Sequence, residues 1–191
     1  MKNILITGAS GGLGSVLYRQ LKSNYKVTWI CFTHSTPDLV SLDLRDLQKL
    51  LSFVHELKPD LIINTVALTD VDLCDKDIAL ALDLNTKTAL HVRKAAELVQ
   101  AKVIHISTND VFDGQKGMYT ENDLPHPINM YAWTKYMAEQ MFYRYENTLI
   151  LRFNSMSWFT SGKTPLMTWI KDSLEQQRSI TLFTDQFTSP I

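Results

Sequence analysis

Lys2-Asn3-Ile4-Leu5-Ile6-Thr7-Gly8-Ala9-Ser10-Gly11-Gly12-Leu13-Gly14 joins an apolar run to a glycine-rich turn and the start of an amphipathic helix. A parallel sheet holds a dinucleotide pyrophosphate with such a segment. Gly8 allows the tight turn, Gly11 lets bare backbone approach the phosphates, and Gly14 lets helix and strand pack closely. The helix N-terminus adds N–H groups and partial positive charge. Gly8, Ser10, Gly11, Gly12, Leu13 and Gly14 therefore form the candidate cofactor cradle, with G-x-x-G-x-x-G spacing. Leu13, Val16, Leu17 and Leu21 follow at helical spacing, and residues 27–32 read as a second strand that completes a βαβ unit.

Working outward, strands and helices alternate along the chain. After the polar link 33–37, the spacing predicts an apolar stretch at 39–44, a helix over about 46–57 and a buried strand at 61–65. A long helix over 77–100 and a strand at 102–107 come next, then a loop containing Gly114, Gly117, Pro125 and Pro127. A helix over about 130–145, a strand at 148–152, a helix over about 165–177 and a last strand near 180–183 complete the pattern. This alternation predicts an α/β fold: a doubly wound, Rossmann-like parallel sheet with helices on both faces.

Composition supports a compact domain of this kind. The 191 residues are 45% hydrophobic and 20% charged, with a formal net charge of -1. That is enough apolar material for one substantial core, while the interspersed charges give no footprint for nucleic acid or an anionic membrane. A small molecule is the expected partner. Cys31 and Cys74 stand far apart, so neither a CxxC redox pair nor a metal site is expected, and both read as buried thiols. Met1-Lys2 leads straight into a strand without a signal-peptide pattern, and no apolar run reaches the length of a bilayer span, so the expected compartment is the cytoplasm.

Two further positions bear on cofactor and chemistry. After the second strand, an acidic residue would bind the adenosine ribose hydroxyls of NAD. Thr33-His34-Ser35 stands there instead, with no carboxylate until Asp38 and no Arg to clamp a phosphate. A site without negative charge tolerates the 2'-phosphate of NADP, so the expected cofactor is NADP or NAD; His34 is either a cofactor contact or a solvated loop residue. Later, Tyr131-Ala132-Trp133-Thr134-Lys135 puts a phenol and an ammonium on one helical face. A nearby ammonium is expected to lower the tyrosine pKa from about 10 and suit Tyr131 to proton exchange with a carbonyl or alcohol. Ser107 and Thr108 end a strand at the carboxyl edge, where a hydroxyl could orient a substrate carbonyl.

With these features in this order, the chain resembles the extended short-chain dehydrogenase/reductases, and within them the dTDP-4-dehydrorhamnose reductases. The resemblance is carried by the glycine turn, Pro59 to Asn64, Thr69-Asp70-Val71-Asp72, Leu84-Asn85, Ile106-Ser107-Thr108 and Val111-Phe112-Asp113-Gly114. Tyr131 with Lys135, Asp185-Gln186 and Ser189-Pro190 extend it to the end of the sequence. It implies that Thr108, Tyr131 and Lys135 form the catalytic set for reduction of a nucleotide-linked 4-keto-6-deoxysugar, with Tyr131 and Lys135 also touching the cofactor. It further implies that Asp43 and Leu44 flank the adenine, that Asn64 and Ala67 line the cofactor ribose, and that Asn85 supports the active-site helix beside the cofactor. Asp43 as a loop carboxylate and Asn85 as a capping or core amide are the alternatives.

The family pattern divides the chain into a dinucleotide-binding domain, 1–153, and a partial substrate-binding region, 154–191. Asp110 stands where the family usually has Tyr, Thr65-Val66 replaces a small pair, and Phe153-Asn154 departs from the usual residues after Arg152. Other nucleotide-sugar reductions, epimerisation or dehydration fit the same scaffold, as does a homodimer. A second expectation of another class is a non-catalytic regulatory subunit, like the relative that accompanies methionine adenosyltransferase.

Overall fold

The computed structural model describes residues 1–32, 39–152, 154 and 166–181. The opening segment forms β1 (Asn3–Thr7) and α1 (Gly12–Leu21), followed by β2 (Lys26–Cys31). β3 (Val40–Ser41), α2 (Leu47–Leu57) and β4 (Leu61–Asn64) come next. Two short helices, α3 (Val71–Lys76) and α4 (Ile78–Ala81), lead through a π-helical segment (Leu82–Lys87) into α5 (Thr88–Val99). β5 (Lys102–Ser107), α6 (Met130–Gln140), β6 (Thr148–Arg152) and α7 (Leu166–Glu175) complete the order.

Six parallel strands pair in the order β3-β2-β1-β4-β5-β6. The order reverses between β1 and β4, which opens a crevice at their carboxyl ends, the place where doubly wound sheets bind ligands. Residues alternate across the sheet. Leu5, Ile62 and Val103 point to one face and pack with Leu50, Val54, Val92 and Ala96 of α2 and α5. Ile4, Ile6 and Ile63 point to the other, against Leu17 and Leu21 of α1. Burial on both faces explains why these strands are continuous apolar runs rather than polar–apolar alternations.

Local caps set the helix starts. Asp46 accepts from the Lys49 N–H at 3.1 Å to begin α2, and Asn129 accepts from the Ala132 N–H at 2.8 Å to begin α6. The structure departs from the sequence reading at several points. The expected helix over 77–100 is interrupted by the π-helical turn that holds Asn85, because Asn85 is pulled inward to bond a loop and α6. The helix expected to reach 145 ends at Gln140 and gives way to turns that bury Phe142 and Tyr145. α3 was unforeseen, being a short helix capped by Asp70. Only Val40–Ser41 of the stretch 39–44 is strand, and Ile180 and Thr181 of the expected last strand are not. Leu182 and Phe183 lie outside the described residues, as do His34, Phe153, Asp185, Gln186, Ser189 and Pro190.

Candidate functional site

The glycine turn sits at the crevice, and its geometry needs glycine at two positions. Gly8 has φ +71°, and a Cβ there would lie 2.8 Å from Thr65 Oγ1 and 2.9 Å from the Val66 amide nitrogen. A Cβ on Gly14 would lie 2.7 Å from the Gly8 carbonyl oxygen and 2.8 Å from Ala9 Cα, so α1 approaches β1 only because the side chain is missing. Gly12 has open space around it, and Gly11 would meet only the Gly8 carbonyl oxygen, at 3.2 Å. Gly11 caps α1 without a side-chain hydrogen bond, and no acidic residue stands in the first turn. The N–H groups there, flanked by Ser10, Gly12 and Leu13, are not taken up by a capping side chain, and the positive helix end is not neutralised. Backbone cradle and helix dipole together fit a pyrophosphate.

Around this cradle the structure distributes the remaining candidates unevenly. Asn64 is buried, and its amide is used within the sheet: it accepts from Thr7 Oγ1 at 2.6 Å and bonds His105 Nδ1 at 3.0 Å. The register sets Thr7, Asn64 and His105 side by side across β1, β4 and β5, so this row braces the crevice floor. Ala67 is half-buried in the loop that follows. Asn85 accepts from the Leu68 N–H at 2.7 Å and donates to Thr134 Oγ1 at 2.9 Å, tying that loop to α6. Leu44 is buried in the core, and its carbonyl accepts from His91 Nδ1 at 2.7 Å.

At the outer edge, Asp43 accepts from Arg45 Nε and Nη2 at 2.8–3.1 Å, and this guanidinium holds its carboxyl below the usual carboxylate range. Arg45 in turn lies over the exposed Phe32 ring, which directly follows β2. The sequence reading found no Arg near the end of β2. The structure supplies one from the β3–α2 connection, a placement that only strand pairing reveals.

The candidates Thr108, Tyr131 and Lys135 gather at the end of β5 and on α6. Thr108 is buried at the end of β5, accepts from the Asp110 N–H at 3.1 Å, and lies near enough to the Tyr131 hydroxyl to favour its ionised form. Ser107 donates instead to Glu139, two helical turns further along α6. Of the two hydroxyls expected to orient a carbonyl, only that of Thr108 meets Tyr131.

Lys135 is buried on α6, and its Nζ donates to the Ile106 carbonyl at 2.6 Å. Burial pushes its pKa down to about 8, opposed by the charge of Glu139. Tyr131 shows a correction: its pKa is not lowered but pushed up to about 12. Burial is the main cause, with the Asp110 charge adding to it and the Thr108 hydrogen bond opposing it. The Lys135 ammonium, seated on a backbone carbonyl, does not reverse this. Sequence reasoning missed Glu139 and Arg152, which form a two-point ion pair of 2.6–3.1 Å beneath Lys135. The signal for Glu139 was its spacing, four residues beyond Lys135 on the same face.

Among the described residues no group of His, Cys, Asp and Glu side chains could hold a metal, and no helix is long and apolar enough to cross a membrane. Cys31 and Cys74 are both buried. A groove of about 800 Å³ lined by Leu17, Leu21, Tyr25, Pro59 and Ile63 opens at the amino ends of the strands, away from this edge.

Known proteins share this arrangement. The chain is 31% identical over 140 residues to methionine adenosyltransferase 2 subunit beta of Rattus norvegicus, covering 73% of this chain and 42% of that protein. It is 32% identical over 142 residues to the dTDP-4-dehydrorhamnose reductase of Aggregatibacter actinomycetemcomitans, covering 74% and 47%. The crystal structure of dTDP-4-dehydrorhamnose reductase from Bacillus anthracis in complex with NADP superposes with a TM-score of 0.79 at 32% identity, covering 92% of this chain and 61% of that one. The chain thus spans less than half the length of these two curated relatives. The RmlD substrate binding domain family matches it over residues 1–191, and the chain belongs to that family.

Proposed function

We propose that this chain carries the cofactor-binding and catalytic part of an NADP- or NAD-dependent reductase acting on a nucleotide-linked 4-keto-6-deoxysugar. The observation that carries the reading is the convergence of Thr108, Tyr131 and buried Lys135, whose Nζ donates to the Ile106 carbonyl at 2.6 Å, at the same carboxyl edge as the side-chain-free cradle of Gly8 and Gly14. The reductases among the relatives, one of them solved with NADP, support it.

When bound, the cofactor supplies the hydride. The cradle at Gly8 to Gly14 and the N-terminus of α1 would hold its pyrophosphate, and Arg45 with Phe32 would stand beside its adenosine end. Thr108 orients the substrate carbonyl by donating to its oxygen. With a pKa of about 12, Tyr131 is neutral at ordinary pH, which is the form that can give its proton to that oxygen. The phenolate left behind is the costly species, and the Thr108 hydroxyl and the Lys135 ammonium stabilise it. The buried surroundings exclude water and strengthen both interactions.

The test is cofactor oxidation by purified protein given NADPH or NADH and a dTDP-linked 4-keto-6-deoxysugar. Turnover above that of Tyr131→Phe supports the reading, and its absence in the wild type overturns it. The 31% identity to a methionine adenosyltransferase subunit favours a second reading, a regulatory subunit that keeps the cofactor fold. Asp110, whose charge opposes ionisation of Tyr131, is consistent with it. A stable complex with a methionine adenosyltransferase partner, together with no turnover, would select this second reading.

A further inference from the structure

Tyr131, Lys135 and Glu139 follow one another at intervals of four residues along α6 and share one face. Glu139 is 3% exposed. A buried carboxylate without partners is costly, and this one is well supplied: Ser107 Oγ donates to Oε1, and Arg152 donates from Nε at 2.9 Å and from Nη2 at 2.6 Å. Arg152 is itself held with its guanidinium 5.2 Å from the centre of the Phe112 ring. Three consecutive residues of β5 and its end thus meet this face. Ile106 accepts from Lys135, Ser107 donates to Glu139, and Thr108 lies beside Tyr131. A shift of α6 by one turn would break both bonds and part Thr108 from Tyr131.

We propose that Glu139 is a positioning residue for Lys135: clamped by Ser107 and Arg152, it locks the catalytic face of α6 onto the end of β5 and keeps the Lys135 ammonium seated on the Ile106 carbonyl. The inference rests on the reading of Tyr131 and Lys135 as the catalytic pair. Stability alone does not account for Glu139, because apolar residues of similar volume in place of a buried ion pair are often as stable or more so. The ion pair does what apolar packing cannot, since it fixes direction and register and places a negative charge near a lysine that burial would otherwise discharge. The other groups facing Lys135 supply no such charge: His105 on β5 is buried in its neutral form, Tyr131 is neutral, and Arg152 on β6 is a cation.

The experiment follows the Lys135 side chain in full-length protein labelled at lysine Cε, with Lys135→Met identifying the signal. Glu139→Gln keeps the volume and one hydrogen bond to Ser107 but removes the charge. The double variant Glu139→Leu/Arg152→Met serves as the folded alternative if the unpaired Arg152 unfolds the first. The expected result is a Lys135 titration midpoint lower by about one pH unit in either variant, with at least a tenfold fall in kcat and an unchanged KM for the sugar. An unshifted midpoint in a folded variant overturns the proposal. A wild type without turnover overturns the reductase reading alone, because the titration still reports on Lys135 in the absence of catalysis.

Discussion

Arg45 holds its guanidinium 4.9 Å from the centre of the Phe32 ring, although thirteen positions separate the two residues in sequence. Strand pairing brings Val40–Ser41 beside the end of β2, and this delivers Arg45 to the edge where the adenosine end of the cofactor would lie. Asp43 fixes two of the guanidinium nitrogens, and Asp83 stands 3.8 Å away. Arg45→Ala is expected to weaken NADPH binding about tenfold while NADH binding changes little, since a charge-assisted contact to a phosphate is worth roughly 1.4 kcal/mol or more. Fluorescence titration with both cofactors measures this, and an equal loss for both would instead assign Arg45 to stacking.

Gly12 and Gly14 should respond oppositely to alanine. At Gly14 the new Cβ meets backbone atoms at 2.7 and 2.8 Å, so α1 must move off β1. The cost is about 1–3 kcal/mol, as for other overpacked sites. At Gly12 the space is open, and alanine leaves stability unchanged or raises it by up to about 1 kcal/mol through helix propensity. Urea unfolding of the two variants tests the contrast.

His105 sets an acid limit on stability. It is fully buried, its Nε2 has no partner, and burial with the Lys135 charge drives its pKa well below the ordinary value. The folded state therefore keeps it neutral while the unfolded chain takes up a proton below pH ~6.5. Its contribution is complete above that pH and is lost as pH falls, with a slope approaching about 1.4 kcal/mol per pH unit. Unfolding free energies measured downward from neutral pH should show this slope, and His105→Gln should flatten it.

Reduction should fail on the alkaline side before Tyr131 ionises. The Lys135 ammonium is present below its pKa of about 8 and lost above it, whereas Tyr131 holds its proton to about 12. The expected kcat profile is flat at neutral pH and falls through about 8. Lys135→Met should lower the plateau and abolish that limb, and Tyr131→Phe should reduce kcat at least 10²-fold with cofactor affinity retained. A limb that survives in Lys135→Met would assign the titration to another group.

The sequence by itself determined what depends on neighbours along the chain. The apolar runs Ile4-Leu5-Ile6 and Leu61-Ile62-Ile63, the glycine turn between strand and helix, and the four-residue spacing of Tyr131 and Lys135 are local patterns with fixed periods, and they were enough for the sheet, its parallel sense and the shared face of Tyr131 and Lys135 on α6. Tertiary structure decided what depends on register between distant strands. It set Thr7, Asn64 and His105 in one row, carried Arg45 to Phe32, paired Ser107 with Glu139, and seated Lys135 on the Ile106 carbonyl. The direction of the Tyr131 shift belongs to the same class. Spacing placed an ammonium nearby, but the balance between burial, the Asp110 charge and the Thr108 hydrogen bond depends on how much water and which dipoles surround the phenol, and packing alone sets these.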